Sequence, residues 1–225
     1  MDGLARTTIA GFSELVAALG ILLFAPAWTL RFWQAWVYLF VFSASCALIT
    51  AYLWTHDRAL LERRVEAGPG AEKERLQARI QVLASAAFIA LLAVPSIDRR
   101  FAWSHVSPIV VLAGDVLVAI GFALVFLVFR ENTFSGATIA VSAGQRVVAT
   151  GPYSVVRHPM YAGALVMLFG TPLALGSWWG LLAMIPMTLA IVWRLLDEER
   201  FLAKNLGGYD AYRAVVRYRL IPLVW

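Results

Sequence analysis

Residues Tyr161–Leu196 read YAGALVMLFGTPLALGSWWGLLAMIPMTLAIVWRLL. A helix needs about 20 mostly apolar residues to cross a bilayer. This run is too long for one crossing, and Gly176-Ser177 interrupts it. It predicts a helical hairpin of two shorter spans that turns at the far membrane face. Four more apolar runs precede it: Ile9–Leu30, Phe32–Trp54, Ile80–Ile97 and Ile109–Phe129. The expected fold is an all-α, polytopic transmembrane helix bundle of about six spans. Trp28, Trp33, Trp36, Trp54, Trp103, Trp178 and Trp179 fall near run ends, as interfacial aromatic belts do.

Composition agrees. The chain has 225 residues, of which 61% are hydrophobic and 15% charged, and its mean hydropathy is +0.74. A soluble globule of this length cannot hide so much apolar surface, and a disordered chain needs low hydrophobicity. The single cysteine, Cys46, lies within an apolar run and excludes an intrachain disulfide. It reads as a small packed residue. The net charge of +5 reflects positive-inside loops, because no zinc finger, recognition helix or RNP-type motif accompanies it. No nucleic-acid partner is expected.

Sixteen of the nineteen Lys and Arg residues fall on one side of the predicted topology, and only Arg31, Arg99 and Arg100 on the other. This bias predicts both termini in the cytoplasm, with the cytoplasmic (inner) membrane as the location. Ala25-Pro26-Ala27 loosely resembles a cleavage site, yet the run before it is long for a signal peptide. The first run is therefore expected to be retained. In the loop His56–Arg79, Leu60, Leu61 and Val65 against Glu62, Arg63, Arg64 and Glu66 predict a short amphipathic helix at the membrane surface. Residues 1–225 form one integral-membrane domain, in which 1–133 is a transmembrane scaffold. Asp197–Trp225 mixes charge with aromatics and is expected to form a cytoplasmic helical cap.

Three polar clusters stand out. Gln145–Gly163 reads QRVVATGPYSVVRHPMYAG. Pro159 disfavours helical geometry at His158 and suits the first turn of the next helix. His158 then sits near an N-cap, where free N–H groups hold a carboxylate or hydroxyl. Arg157 adds charge, and Tyr153 and Tyr161 add aromatic faces. The plainer reading is a helix start with interfacial tyrosines and a snorkelling arginine. In the second cluster, WRLLDEERF at Trp193–Phe201, Arg194 and Glu198 share a helix face. Either the helix runs on beyond Phe201, or the successive acids Asp197, Glu198 and Glu199 hold a ligand. The third cluster, Gly207-Gly208-Tyr209-Asp210-Ala211-Tyr212, reads as a turn followed by an aromatic stripe that packs on the bundle.

Two acids, Glu14 and Asp115, lie within predicted spans. Glu14 reaches the interface. Asp115 is deeper and is expected to face the interior, bonded to a hydroxyl. No P-loop, dinucleotide fingerprint, nucleophile elbow or His-Glu-x-x-His motif is present. The three histidines, His56, His105 and His158, are scattered, so no metal is expected.

GPYSVVRHPMYAG, the hydrophobic hairpin, RLLDEERFL and GGYDAY together resemble the isoprenylcysteine carboxyl methyltransferase family. That family lies within a wider group of integral-membrane methyltransferases that includes phospholipid N-methyltransferases. The resemblance runs from Phe134 to the end, and the first two runs share only hydropathy. It implies a cofactor-binding catalytic region at 134–225 with a cytoplasm-facing S-adenosylmethionine site. Gln145, Arg146, Val147 and Val148 stand at the family's cofactor-binding strip, and Tyr153 at the next contact. His158, Pro159, Met160 and Tyr161 match the motif that wraps the cofactor. Glu198 matches the cofactor-binding acid, with Glu199 beside it, and Arg194 matches the substrate-side arginine. Tyr212 and Arg157 complete the expected cofactor-binding set. Gln145 and Arg146 differ in type from eukaryotic members, and Gly207-Gly208 stands where relatives often carry proline.

The resulting expectation is methyl transfer to a lipophilic acceptor at the cytoplasmic face, with a prenylcysteine-like carboxylate as one candidate. RHPMY alone also resembles membrane sterol reductases, which leaves an NADPH-dependent enzyme as an alternative. A non-enzymatic transporter or assembly factor is a third reading.

Overall fold

Among the described residues, five helices are long and apolar enough to cross a membrane: α1 (Gly3–Ala27), α2 (Trp33–His56), α4 (Arg75–Phe101), α5 (Pro108–Glu131), and the stretch Trp179–Asn205. The last comprises a short 3-10 helix (Trp179–Ala183) and α7 (Met184–Asn205). Between the spans lie α3 (Arg58–Val65) and α6 (Pro159–Ala174), and α8 (Tyr209–Val215) follows α7. This computed structural model describes residues 3–65, 75–138, 141 and 144–225, and no strand occurs among them. The chain is a multi-pass helical membrane bundle.

The hairpin turn forms where its sequence predicts, but its arms are unequal: the second, Trp179–Asn205, is a candidate span of 27 residues, and the first, α6, is a shorter apolar helix. Pro159 opens α6 at its first turn, and Gly176 makes the reversal at φ +71°. With 16 residues, α6 is about 24 Å long, shorter than each of the five candidate spans. Its tight packing against α5 comes from glycines. Gly114 and Gly121 on α5 meet Gly170 and Gly163 on α6 so closely that a Cβ on Gly170 would sit 2.7 Å from Gly114 O. In lipid, where apolar attraction between helices is weak, such backbone approach supplies the van der Waals contact that joins them.

The central core gathers Leu19, Leu23, Tyr38, Leu92 and Val118 from α1, α2, α4 and α5, with Phe32 just before α2 and Leu175 just after α6. Ile21, Phe40, Leu48, Ile109 and Leu189 lie exposed on the outside of the bundle, as lipid-facing residues do. Cys46 packs against the core as a small residue.

At the far end, away from most basic residues, Asp98 is 1% exposed. It accepts from Ser104 N (2.7 Å), Ser104 Oγ (2.5 Å) and Ser177 Oγ (2.5 Å). It thereby ties the end of α4 to the following loop and to the hairpin turn. At the basic end, α3 is capped by Asp57, whose Oδ1 accepts from Leu60 N at 2.9 Å. Leu60 and Leu61 are buried against Leu53 and Phe129. The amphipathic helix is therefore docked on the bundle end rather than laid on lipid alone. Glu66 lies outside the described residues.

Two sequence expectations need correction. Arg157 does not snorkel: it is buried among protein groups. Asp115 is buried, but neither of its carboxylate oxygens has a hydrogen-bond partner among the described residues. The Thr171 hydroxyl, one polar group of that core, is turned to its own helix at Met167 O. Glu14 is exposed on the outer face of α1.

Candidate functional site

At the basic end, a cavity of about 600 Å³ lies between α4, α6, α7 and the segments around them. The start of α6 builds one wall. Backbone bonds from Arg157 N to Tyr218 O (2.8 Å) and from His158 N to Arg219 O (3.0 Å) hold the turn before Pro159 in place. His158 occupies the N-cap position without capping the helix. Its Nε2 lies 3.3 Å from Glu199 Oε1 instead. On the same wall, Tyr161 Oη donates to Glu198 Oε2 at 2.6 Å.

Helix α7 continues to Asn205, so its three acids lie inside the helix rather than at its unfavourable end. Each faces a different way, because successive helical side chains are about 100° apart. Asp197 accepts from Gln77 on α4. Glu198 lines the cavity. Glu199 is buried at 5% exposure and does not line it. The expected pairing of Glu198 with Glu199 in one site is thus not what helix geometry gives.

The other sequence-predicted residues converge. Gln145, Arg146, Val147, Val148, Tyr153, Arg157, His158, Pro159, Met160, Tyr161, Arg194, Glu198 and Tyr212 all line this one cavity. Tyr153 Oη accepts from Asn132 Nδ2 at 2.9 Å, and Tyr212 Oη donates to Tyr153 O at 2.7 Å. Burial raises both phenols above their ordinary range, even though Ser135 and Asn132 bonds pull Tyr153 the other way. Arg194 donates to Gln81 Oε1 (3.1 Å), Gln77 Oε1 (3.3 Å) and Ala137 O (3.0 Å).

The sequence reading missed part of this cavity. Arg64, at the end of α3, lines it and donates to Gly136 O at 3.0 Å. Burial lowers its pKa, as does the nearby Arg194 charge, while Tyr161 works against this. Gln81, Ser85, Phe88 and Ile89 enter from α4, and Asn132 from the end of α5. The only sequence signal for the glutamines is their i, i+4 spacing at the start of an apolar run. Tyr209 also lines the cavity, and its buried hydroxyl has no partner among the described residues.

The cavity therefore has two halves. One is polar and aromatic: Tyr153, His158, Tyr161, Glu198 and Tyr212. The other is apolar: Phe88, Ile89, Ala164, Met167, Leu168, Met187 and Ile191. Ile89 is itself 48% exposed on the outside of the bundle, so the apolar half reaches the lipid-facing surface. No group of three or more His, Cys, Asp or Glu residues able to hold a metal occurs among the described residues.

The family model described as phospholipid methyltransferase matches residues 109–208. Over that stretch, a little under half of its length, the chain is similar to this family of methyltransferases. The matched region spans α5, α6 and α7 and includes most of the polar half of the cavity. It begins upstream of Phe134, where the sequence resemblance starts, and stops short of Tyr212. No curated protein matches the chain.

Proposed function

We propose that this protein is a membrane methyltransferase that uses S-adenosylmethionine as donor and methylates a lipophilic acceptor taken from the bilayer, at the cytoplasmic face; the similarity of residues 109–208 to phospholipid methyltransferases supports the reaction class. The observation that carries this reading is the joining of a charged, aromatic half-cavity to an apolar half that reaches the lipid-facing surface. The first half suits a water-soluble donor, and the second an acyl or prenyl chain. The strong bias of basic residues toward this end of the bundle supports the cytoplasmic assignment.

The residues present fit the donor. S-adenosylmethionine supplies an electrophilic methyl on a sulfonium. Glu198, held in place by Tyr161, offers a carboxylate to its amine. Tyr153, Tyr161 and Tyr212 offer faces to adenine or to the sulfonium, a contact that contributes about 0.5–2 kcal/mol. N–H groups at the start of α6 suit its carboxylate. Methyl transfer is an in-line displacement, so alignment matters more than proton transfer. A carboxylate acceptor, such as a prenylcysteine-like one, needs no base, and Arg194 orients it from α7. His158 is not assigned as a base, because its Nε2 faces Glu199.

The test is binding of tritiated S-adenosylmethionine to purified protein, followed by lipid extracts incubated with the labelled donor to find the labelled product. Wild-type protein is expected to bind, and Glu198→Ala and Arg194→Ala to lose binding or turnover. Absence of binding, or thermal protection by NADPH alone, overturns the reading.

A further inference from the structure

Glu199 has a surrounding that the methyl-donor reading leaves unused. Its carboxylate is buried and meets three basic side chains. Oε1 accepts from Arg157 Nε at 2.7 Å and lies 3.3 Å from His158 Nε2, while Oε2 accepts from Arg219 Nε at 2.9 Å. These partners come from two separate segments. Arg157 and His158 belong to the cavity wall that opens α6. Arg219 belongs to a strap that follows α8 and lies beyond the region matched to the family.

The strap runs alongside that wall. Arg157 N and His158 N donate to its carbonyls at Tyr218 and Arg219. Arg157 Nη1 also donates to Val216 O and Arg217 O, both at 3.1 Å. Arg219 in turn lies over the Trp225 ring, 5.2 Å from its centroid. Burying a carboxylate charge is costly unless it is paired and hydrogen-bonded, and removing one partner leaves an uncompensated charge. Here the acid touches no cavity surface. Its influence on the cavity passes through Arg157 and His158, which do line it.

We propose that Glu199 is a positioning residue for the methyl-donor pocket, keying the 216–220 strap to the Arg157–His158 wall so that the strap sets the shape of that wall. This rests on the donor reading above. Side chains that orient directly contacting groups are known to matter nearly as much as those groups do.

The experiment measures S-adenosylmethionine affinity by calorimetry on the full chain in detergent micelles, with thermal unfolding recorded in parallel. The variants are Glu199→Gln, which keeps the shape of the side chain, Arg219→Ala, Arg219→Lys, and the double variant Glu199→Gln/Arg219→Ala. Each of the first two is expected to weaken binding about tenfold. Arg219→Lys restores most of the loss. The double variant is no weaker than Glu199→Gln by more than about twofold, because both act through one connection. Arg219 is part-exposed, so Arg219→Ala reports even if Glu199→Gln does not fold. Wild-type affinity in the variants, with only the melting temperature lowered, shows a merely structural role and overturns the proposal. Failure of the wild type to bind overturns the donor reading, and this proposal with it.

Discussion

The Tyr161 hydroxyl donates to Glu198 Oε2 at 2.6 Å, joining the first turn of α6 to the middle of α7 across the cavity wall. A hydrogen bond to a charged acceptor contributes about 1.5–3 kcal/mol. Tyr161→Phe leaves Glu198 free to swing. The variant is expected to weaken S-adenosylmethionine binding about tenfold, or about 1.4 kcal/mol, as read by calorimetry. Unchanged affinity would show that Glu198 does not meet the donor's amine.

The glycine contact between α5 and α6 leaves no room for a methyl group. A Cβ on Gly121 would sit 2.5 Å from Met167 Cβ and 2.6 Å from Gly163 O. Gly121→Ala is therefore expected to destabilise the protein by about 1–3 kcal/mol, read as a lower thermal midpoint in detergent. Gly11→Ala on α1 is the control, since no atom lies within 4 Å of its added Cβ. It should leave the midpoint unchanged.

Asp98 should matter for folding and not for chemistry. Removing its carboxylate strands Ser104 N, Ser104 Oγ and Ser177 Oγ at a buried junction. Asp98→Ala is expected to cost about 3 kcal/mol, while protein that remains folded keeps its donor affinity. Loss of affinity at an unchanged thermal midpoint would contradict this, because Asp98 lies at the opposite end of α4 from Gln81 and Ser85.

Three phenols, Tyr209 and Tyr212 buried and Tyr153 partly so, set an alkaline limit. Burial raises Tyr153, Tyr209 and Tyr212 above the ordinary phenol value of 10.0. Above about pH 10 the unfolded chain releases these protons while the folded chain retains them. The stability they support is full below that pH and falls as pH rises past it. Unfolding midpoints measured from pH 8 to 11 should drop at the top of the range. Tyr209→Phe should trim that drop at little cost near neutrality, since the Tyr209 hydroxyl has no partner among the described residues.

The spans and the hairpin were legible because apolar run length and a Gly-Ser break are local signals. The polar half of the cavity was legible for a similar reason: Gln145–Tyr161 is nearly continuous in the chain, and Glu198 sits beside Arg194 on one helix face. Arg64, Gln81 and Ser85 were not. Each is an isolated polar residue whose meaning depends on which helix packs opposite it. Glu199 was misread because adjacency in sequence suggested adjacency in space, and an α-helix separates the two acids. Asp98 was hidden beside Arg99-Arg100, where a charge run looks solvated.

The lining of the cavity comes from two stretches of the chain that meet only in the fold. Most of the polar half and also Ala164, Met167, Leu168, Met187 and Ile191 of the apolar half lie in 109–208, the stretch similar to phospholipid methyltransferases, whereas Arg64, Gln81, Ser85, Phe88 and Ile89 precede it. On the proposed function, a chimera that keeps 109–225 and replaces the front helices would preserve most of both halves of the pocket and redraw only the wall contributed by Arg64, Gln81, Ser85, Phe88 and Ile89, where the pocket opens to lipid beside Ile89.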